Sequence, residues 1–336
     1  MAIDQVWANN VILAMPIHCG DSPCITKRKL SEDGTFAKEW SRVLPRIQDK
    51  LLDSVVYLYP SEVSADNAEK IGGSGFIMGV WSRVQNTVHL YVVTNQHVVR
   101  NKDGSPNCQV VRMTSRDNPK VIRSIPDKDW ITPTVDDLAI SYIGTQSISL
   151  EEDLAFISSD SAVKEENRSD YFVGADCFML GRFISRDGRQ RNTPTARFGN
   201  ISMLPIEPII EEDGNLTSAF LVETRSQSGF SGSPVFVYRE RGIIQPHPNS
   251  NLRRGSIALP YPVQEQFTYN LLGVDRAHVP NVGRVRQITD NGQLTDEDHQ
   301  SVSGGGVELG SGMLFVVPAW KLTELLNRED VRKIRV

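Results

Sequence analysis

Ser231 lies in the stretch of the chain best suited to nucleophilic chemistry, the run SQSGFSGSP from Ser226 to Pro234. The flanking glycines allow the backbone to turn tightly around Ser231, which presents its hydroxyl. The N–H groups of Gly229 and Ser231 would then point to one spot and stabilise the negative oxygen that forms when a hydroxyl attacks a carbonyl. The pattern predicts a nucleophile with an oxyanion site; the alternative is a Gly- and Ser-rich turn between strands.

A serine hydroxyl needs a general base, because almost no alkoxide exists at neutral pH. His97 is the candidate base, since it follows the apolar residues 90–93 where a strand gives way to a turn. The alternative is an ordinary histidine at a strand edge. The other histidines are weaker candidates. His89 lies in a predicted strand, and His247 stands between two prolines. His18 and His299 lie in polar connections, and His278 follows a strand without a nucleophile-like partner.

The imidazole must in turn be held in one tautomer by an acceptor, usually a buried carboxylate. Asp137 stands directly before the apolar run Leu138 to Ile140, at the mouth of a predicted strand. Its neighbour Asp136 is the alternative, and strand alternation prevents the two from facing the same way. We prefer Asp137 for its position; in the alternative interpretation both residues cap a turn.

Short segments rich in β-branched and aromatic residues recur from Ser54 to Pro318, and most are bounded by Gly, Pro, Asn or Asp. They cover residues 55–59, 75–78, 88–93, 138–143, 177–180, 220–222, 235–238, 271–274 and 313–317. This spacing predicts a mainly β protein built as an antiparallel barrel or sandwich.

Helical periodicity is confined mostly to the two ends of the chain. Residues Phe36 to Leu52 predict a pair of helices broken at Pro45. A C-terminal helix is predicted after Pro318, which fits a first helical turn. The stretches 239–270 and 279–310 are rich in Pro, Gly, Asn and charge, and are predicted to be long surface excursions.

The composition excludes several classes of protein. The chain has 336 residues, 39% of them hydrophobic and 23% charged, which argues against disorder, collagen and coiled coil. Its net charge of −5 makes nucleic acid a poor candidate partner. The apolar run from Val11 to Ile17 is short and contains Pro16, and the residues before it include no Lys or Arg. Neither a secretory signal nor a membrane span is therefore expected.

The four cysteines, Cys19, Cys24, Cys108 and Cys177, are few and irregularly spaced. They predict reduced thiols in a cytoplasmic protein. No metal is expected, because no second ligand pair follows the stretch around Cys19 and Cys24. The glycines of residues 72–75 lack the Lys-Ser/Thr ending and the following helix of a phosphate loop.

The chain order His97, Asp137, Ser231 resembles that of the chymotrypsin-like (trypsin-fold) serine peptidases, and other arrangements of these residues run in different orders. The resemblance extends to bacterial-type intracellular members and covers roughly Ser54 to Leu326. The matching motifs are the glycine-rich strand GGSGF at 72–76, the histidine motif at 94–99, the aspartate motif at 137–140 and the nucleophile motif at 229–234.

The resemblance implies two six-stranded antiparallel β-barrels with the site in the cleft between them. The first barrel, residues 54–150, would carry His97 and Asp137, and the second, residues 171–318, would carry Ser231. An inter-barrel linker (151–170) joins them. An N-terminal extension (1–53), partly helical, precedes the barrels, and a C-terminal helix (319–336) follows them.

The resemblance also implies a substrate-binding region. It comprises Arg225, six residues before the nucleophile at the family's pocket base, together with Ser226, Ser228 and Gly312. An inward-pointing Arg225 would favour an acidic substrate side chain, whereas an outward one is an ordinary solvated residue. N-terminal cleavage is not expected to activate the chain, because the position that receives the new N-terminus in animal zymogens is Phe230.

Together these features predict a serine endopeptidase that acts on polypeptides without a cofactor. A trypsin-fold module that binds a regulatory protein partner and cuts little or nothing is the alternative, favoured by the atypical N-terminal extension and the long excursions. An esterase that uses the same residues on small acyl substrates is the third hypothesis.

Overall fold

The computed structural model describes residues 16–19, 22–25, 27–30, 36–39, 47–82, 84–147, 153–210, 216–224, 229–238, 269–283 and 307–335. These residues fall into two compact units, Met1–Ile47 and Gln48–Val336. The second unit holds all the candidate site residues that the structure describes. The predicted excursions at 239–270 and 279–310 lie largely outside the described residues.

The first unit contains four short strands in two antiparallel pairs. Strand β1 (Pro16–Cys19) pairs with β2 (Ser22–Ile25), and β3 (Lys27–Leu30) pairs with β4 (Phe36–Glu39). The helix predicted to begin at Phe36 is therefore wrong over its first residues. Helix propensity is a weak preference, and here the backbone of β4 is hydrogen-bonded to β3 instead.

Three short helices and seven strands form the first half of the second unit. The helices are α1 (Asp49–Asp53), α2 (Glu62–Asn67) and α3 (Gln96–Val99). The strands are β5 (Val55–Tyr59), β6 (Gly73–Ser82), β7 (Thr87–Thr94), β8 (Val110–Met113), β9 (Val121–Ser124), β10 (Ala139–Ser147) and β11 (Ile157–Ser158). Their order is β10-β7-β6-β5-β8-β9, with the short β11 beside β6.

This first sheet curls on itself, although its two outer strands share no hydrogen-bonded ladder. A single bridge, in which Ile131 and Ile140 exchange hydrogen bonds of 2.8 and 2.9 Å, joins the segment after β9 to β10. Nearby, Arg123 Nη1 donates to the carbonyl oxygen of Ile143 over 2.8 Å. The interior holds alternate apolar residues of the strands, such as Val56 and Leu58 of β5, as period-two patterning requires.

The second half of this unit is a closed antiparallel barrel in the order β12-β13-β16-β19-β18-β17. Its strands are β12 (Asp176–Gly181), β13 (Thr195–Met203), β16 (Phe220–Glu223), β17 (Pro234–Tyr238), β18 (Tyr269–Gly283) and β19 (Val307–Pro318). A small hairpin, β14 (Ile209–Ile210) with β15 (Leu216–Thr217), lies between β13 and β16 in the chain. Within the described residues, six strands in the main order of the first sheet and six in the closed barrel confirm the predicted mainly β, two-barrel fold class.

Short connecting elements tie the two barrels together. Two 3₁₀ helices, Ser159–Ser161 and Arg168–Asp170, lie in the segment between the barrels, and a third, Asp127–Asp129, lies between β9 and β10 of the first barrel. The segment between the barrels touches both of them, because β11 pairs with β6 of the first and Val163 N donates to Leu271 O of the second over 2.9 Å.

The predicted C-terminal helix is present and follows Pro318 directly. It is divided into α4 (Ala319–Asn327) and α5 (Glu329–Lys333), with Arg328 in an extended conformation between them. Helix α4 buries apolar residues at helical spacing, among them Trp320 and Leu322. Arg335 Nε donates to the Tyr91 hydroxyl over 2.9 Å, so the chain end is fixed to the first barrel. Within the described residues, none of the helices is long and apolar enough to span a membrane.

Candidate active site

His97 lies on α3, the single helical turn that begins two residues after the buried strand β7 ends. The next two residues, Val98 and Val99, are buried and anchor this turn in the first barrel. The His97 side chain, by contrast, is 48% exposed. The buried side chains of Val98 and Val99 thus hold the backbone of this turn, while the His97 imidazole stays accessible to solvent.

Asp137 holds the His97 imidazole in place. Its Oδ2 lies 2.6 Å from His97 Nδ1, and its Oδ1 accepts a hydrogen bond of 3.1 Å from the His97 backbone N–H. Asn95 Nδ2 donates to the Asp137 carbonyl oxygen over 2.8 Å. One carboxylate therefore engages two nitrogens of the same histidine, which fixes the orientation of the ring.

The partner of His97 is Asp137 and not Asp136. Burial raises the pKa of Asp136, and the positive charge of Lys321 on α4 opposes this shift. A carboxylate only accepts hydrogen bonds, so the short contact to Asp137 places the proton of a neutral His97 on Nδ1. Nε2 then keeps the lone pair that a general base requires.

Ser231 lies in the turn before β17, between two glycines with positive φ angles, +98° at Gly229 and +88° at Gly232. Any side chain at Gly232 would clash, because its Cβ would lie 2.1 Å from the carbonyl oxygen of Ser74 and 2.4 Å from Thr94 Oγ1. The glycine thus permits the turn to approach the first barrel closely.

The Gly229 and Ser231 N–H groups donate to no protein acceptor in the described part of the chain. Both donors therefore remain available to an external oxygen, as the sequence analysis requires of an oxyanion site. Their role in that site stays a prediction.

Ser74, on β6, connects this turn to the first barrel, and the sequence analysis missed it. Its backbone N–H donates to Ser231 O over 2.9 Å, and its hydroxyl donates to Gly229 O over 2.6 Å. The same hydroxyl accepts from Arg182 N over 2.8 Å, and its carbonyl accepts from Thr94 Oγ1 over 2.7 Å. The only signal in the sequence was a serine between glycines in a strand.

The structure places the Ser231 turn beside Thr94, three residues before His97. Within the described residues, no hydrogen bond joins the Ser231 hydroxyl to the His97 imidazole. The histidine–carboxylate pair is thus formed, and Ser231 lies in an adjacent turn without a hydrogen bond to His97 in the described part of the chain.

The predicted substrate-binding residues are only partly described. Arg225, Ser226 and Ser228 lie outside the described residues, so their roles stay predictions. Gly312, on β19, has a φ of +76°, and its carbonyl oxygen accepts from Thr224 N over 2.7 Å. Among the described residues, none would come within 4 Å of a Cβ on Gly312.

Comparison with known proteins gives structural neighbours only. No family model and no curated protein matches the chain. Similar solved structures include Deg5, at 22% identity and a TM-score of 0.34 over 56% of this chain and 75% of that one. The HtrA-type protease AlgW with a decapeptide has 16% identity and a TM-score of 0.37 over 76% of this chain and 52% of its own. An inactive mutant form of Rv3671c from M. tuberculosis H37Rv has 16% identity and a TM-score of 0.38 over 84% of this chain and 96% of its own.

This chain spans about half the length of AlgW. At these identities the likeness says nothing of activity, and the strand order carries the assignment of the fold. The fold is that of the chymotrypsin-like serine peptidases.

A buried pair of charges lies close to the Ser231 turn of this chymotrypsin-like fold, since Arg182 N donates to Ser74 Oγ. Arg182 is fully buried, and its Nε donates to Asp187 Oδ2 over 2.6 Å. Its Nη1 donates to the Ile71 carbonyl oxygen over 2.6 Å, and its guanidinium lies 4.2 Å from the centre of the Tyr59 ring. Burial raises the pKa of Tyr59 to about 12, against the opposing charge of Arg182.

A second buried arginine continues this cluster across the junction between the barrels. Arg112 Nε, on β8, donates to Asn192 Oδ1 over 2.8 Å, and its Nη2 donates to Gly188 O over 2.9 Å. The loop after β12 is thereby fixed to the first barrel. The same loop contacts the Ser231 turn, since a Cβ on Gly229 would lie 3.0 Å from Arg182 O.

The substitution Arg182→Met is expected to lower the free energy of unfolding by about 3 to 5 kcal/mol, because it leaves the Asp187 carboxylate buried without its partner. Urea denaturation monitored by tryptophan fluorescence measures the change. Arg191→Met is the matched control, since Arg191 pairs with Asp53 at the surface and is 54% exposed. We expect a loss below about 1 kcal/mol there; equal losses in the two variants would contradict the assignment.

Three further groups with possible chemistry are buried in the described part of the chain. His89 is 4% exposed, its Nδ1 lies 3.3 Å from the Tyr142 hydroxyl, and burial lowers its pKa. Cys108 and Cys177 are unpaired thiols whose pKa values burial raises to about 11 and about 12. No group of three metal-ligating side chains occurs among the residues that the structure describes.

Proposed function

We propose that this chain is a serine endopeptidase in which Ser231 is the nucleophile, His97 the general base and Asp137 the orienting carboxylate. The observation that carries the proposal is the 2.6 Å contact between His97 Nδ1 and Asp137 Oδ2. It holds an exposed imidazole in the tautomer of a base, within a chymotrypsin-like fold. The Gly229 and Ser231 N–H groups, which donate to no backbone acceptor among the described residues, support it.

In the proposed reaction, Ser231 Oγ attacks the carbonyl carbon of a peptide bond, and its proton passes to His97 Nε2. The Gly229 and Ser231 N–H groups stabilise the resulting oxyanion. His97 then gives this proton to the departing amine as the C–N bond breaks, which leaves an acyl group on Ser231. Water, deprotonated by His97, hydrolyses that ester and restores the hydroxyl.

The substrate is proposed to be a polypeptide. An acidic side chain before the cleaved bond is expected where Arg225 points into the pocket. A reducing, cytoplasmic location is also proposed, on the grounds that the cysteines are few and that Cys108 and Cys177 are unpaired.

A second candidate is a trypsin-fold binding module, or an enzyme that a protein partner switches on. The absence of a hydrogen bond between the described Ser231 hydroxyl and His97 favours it, because such a bond is the geometry from which the base acts. A partner that binds near the nucleophile turn would then bring the two side chains into reach.

Labelling with a fluorophosphonate probe tests the proposal and separates these forms. We expect the purified protein to be labelled on Ser231, with the modified residue located by mass spectrometry, because only an activated serine displaces the leaving group quickly. Heat-denatured protein is the control for unspecific labelling. Labelling only after addition of cell lysate would indicate the switched form, and no labelling in either case would contradict the peptidase assignment.

A further inference from the structure

Ser74 is fully buried where the two barrels meet, and its hydroxyl, N–H and carbonyl groups all form hydrogen bonds there. The hydroxyl donates to the Gly229 carbonyl oxygen over 2.6 Å and accepts from Arg182 N over 2.8 Å. The N–H donates to the Ser231 carbonyl oxygen over 2.9 Å, and the carbonyl accepts from Thr94 Oγ1 over 2.7 Å. One residue of β6 thus joins the Ser231 turn, the loop after β12 and the end of β7.

The direction of the Ser74 hydroxyl proton follows from its two neighbours. A serine hydroxyl has a single hydrogen to donate. Arg182 N can only donate to this hydroxyl and the Gly229 carbonyl oxygen can only accept from it, so the hydrogen points to Gly229. Within the described residues, this is the one hydrogen bond of the Gly229 backbone. Loss of the hydroxyl would therefore release a glycine, the residue with the greatest backbone freedom, two positions before Ser231.

Three consecutive peptide groups of the Ser231 turn are held through their carbonyl oxygens. The first, between Gly229 and Phe230, is held by the Ser74 hydroxyl. The second, between Phe230 and Ser231, is held by Ser233 N, which donates to Phe230 O over 2.8 Å. The third, which follows Ser231, is held by the Ser74 N–H. Because peptide groups are planar and the Ser231 N–H belongs to the second, Ser74 holds the planes on both sides of that donor.

The Gly229 N–H depends on the same contact. Only the two rotatable backbone bonds of Gly229 separate this N–H from the carbonyl oxygen that Ser74 holds. The side chain of Ile184 confines Gly229 further, since a Cβ on this glycine would lie 2.5 Å from Ile184 Cγ1. Strand β6 also lies directly against the turn, because a Cβ on Gly73 would lie 3.3 Å from Ser231 O. Both N–H groups of the proposed oxyanion site therefore lie in backbone that is fixed to Ser74.

We propose that Ser74 is a positioning residue for the oxyanion site, because its hydroxyl and its N–H fix the directions of the Gly229 and Ser231 N–H groups. Such donors stabilise charge that develops in the transition state, so a loss of their alignment lowers kcat and leaves KM nearly unchanged. The catalytic part of this inference rests on the proposed peptidase function. The contact between Ser74 and Gly229 is measurable without activity.

The experiment compares wild type with Ser74→Ala, and Ser54→Ala is the matched control. Ser54 is also fully buried, and its hydroxyl donates to the Leu51 carbonyl oxygen over 2.7 Å. Both substitutions therefore remove a buried serine hydroxyl that donates to a carbonyl, but only Ser74→Ala removes a contact with the Ser231 turn. Ser74→Cys is the second variant at the site, since a thiol of similar size is a weak donor.

The first readout is the NMR signal of the Gly229 carbonyl carbon, in protein labelled with ¹³C-carbonyl glycine and ¹⁵N-phenylalanine. The sequence contains two Gly–Phe pairs, Gly75–Phe76 and Gly229–Phe230, so two correlated signals are expected. The substitution Phe76→Leu, made in the wild type and in each Ser74 variant, assigns them. The second readout is kcat and KM, determined separately for the fluorogenic library peptide that the wild type cleaves fastest.

For Ser74→Ala we expect the Gly229 carbonyl signal to move upfield, because a carbonyl carbon resonates further downfield when its oxygen accepts a hydrogen bond. We also expect kcat to fall by about 100-fold while KM stays within about three-fold of wild type. Ser54→Ala should leave both readouts at their wild-type values, and Ser74→Cys should give intermediate ones. If Ser74→Ala folds poorly, Ser74→Cys provides the test.

An unmoved Gly229 signal or an unchanged kcat in a folded Ser74 variant would overturn the inference. An equal loss of kcat in Ser54→Ala would assign the effect to general destabilisation and would also overturn it. Wild-type protein that neither cleaves peptides nor reacts with the fluorophosphonate would instead count against the peptidase proposal. The Gly229 signal would then decide by itself whether Ser74 holds the turn.

Discussion

Replacing Ser231 with alanine is expected to lower the turnover of peptide hydrolysis by about a million-fold. The substitution removes the atom that attacks the carbonyl carbon, and no acyl-enzyme can form. Substrate binding and the N–H groups of Gly229 and residue 231 remain, so a small residual rate above that in water is expected. Cleavage of a fluorogenic peptide library, with KM and kcat determined separately, measures the effect.

Ser233→Ala is the matched control for this prediction. Ser233 lies in the same turn, but it is fully buried, and its hydroxyl has no hydrogen-bond partner among the described residues. Its removal is expected to leave kcat within about two-fold of wild type, because a buried hydroxyl without a partner contributes little. If Ser231→Ala hydrolysed peptides as fast as Ser233→Ala, Ser231 would not be the nucleophile.

The fold of the two barrels could be predicted because its strands carry a local signal. Segments such as Val55–Tyr59 and Pro234–Tyr238 are short, β-branched or aromatic, and bounded by turn residues. The C-terminal helix has apolar residues at helical spacing after Pro318. By contrast, Phe36–Glu39 pairs with a strand although its residues suit a helix, since pairing with a neighbouring segment outweighs a small local preference.

The histidine and its carboxylate could also be predicted, because His97 follows the end of β7 and Asp137 stands just before β10, the position that favours it over Asp136. The supporting residues could not be predicted. Ser74 acts through contacts with residues more than a hundred positions away. Arg276 lies at a register shift of β18, with its Nε 3.8 Å from Asp137 Oδ2, and no local sequence pattern predicts that shift. The Arg182–Asp187 pair is close in sequence, but its burial depends on how the two barrels pack.

The substitution Asp137→Asn is expected to lower kcat by about 10⁴-fold with little change in KM. The asparagine side chain keeps the shape of the carboxylate but has only one acceptor oxygen, whereas Asp137 accepts from both His97 Nδ1 and the His97 backbone N–H. If the amide nitrogen faces the ring, His97 must carry its proton on Nε2 and cannot accept one from Ser231. If the oxygen faces the ring, the amide NH₂ group of the asparagine faces the backbone N–H of His97, and two hydrogen-bond donors then repel each other.

Asp136→Asn provides the comparison that makes this prediction specific. The two aspartates are adjacent and undergo the same chemical change, but Asp136 does not contact His97, and burial raises its pKa. Its conversion to a neutral amide replaces a half-buried carboxyl and should leave kcat nearly unchanged. Steady-state kinetics and thermal melting of both variants separate loss of catalysis from loss of folding. Comparable losses of kcat in Asp137→Asn and Asp136→Asn, at equal melting temperatures, would contradict the prediction. The loss would then come from the change of charge near the site and not from the contact between Asp137 and His97.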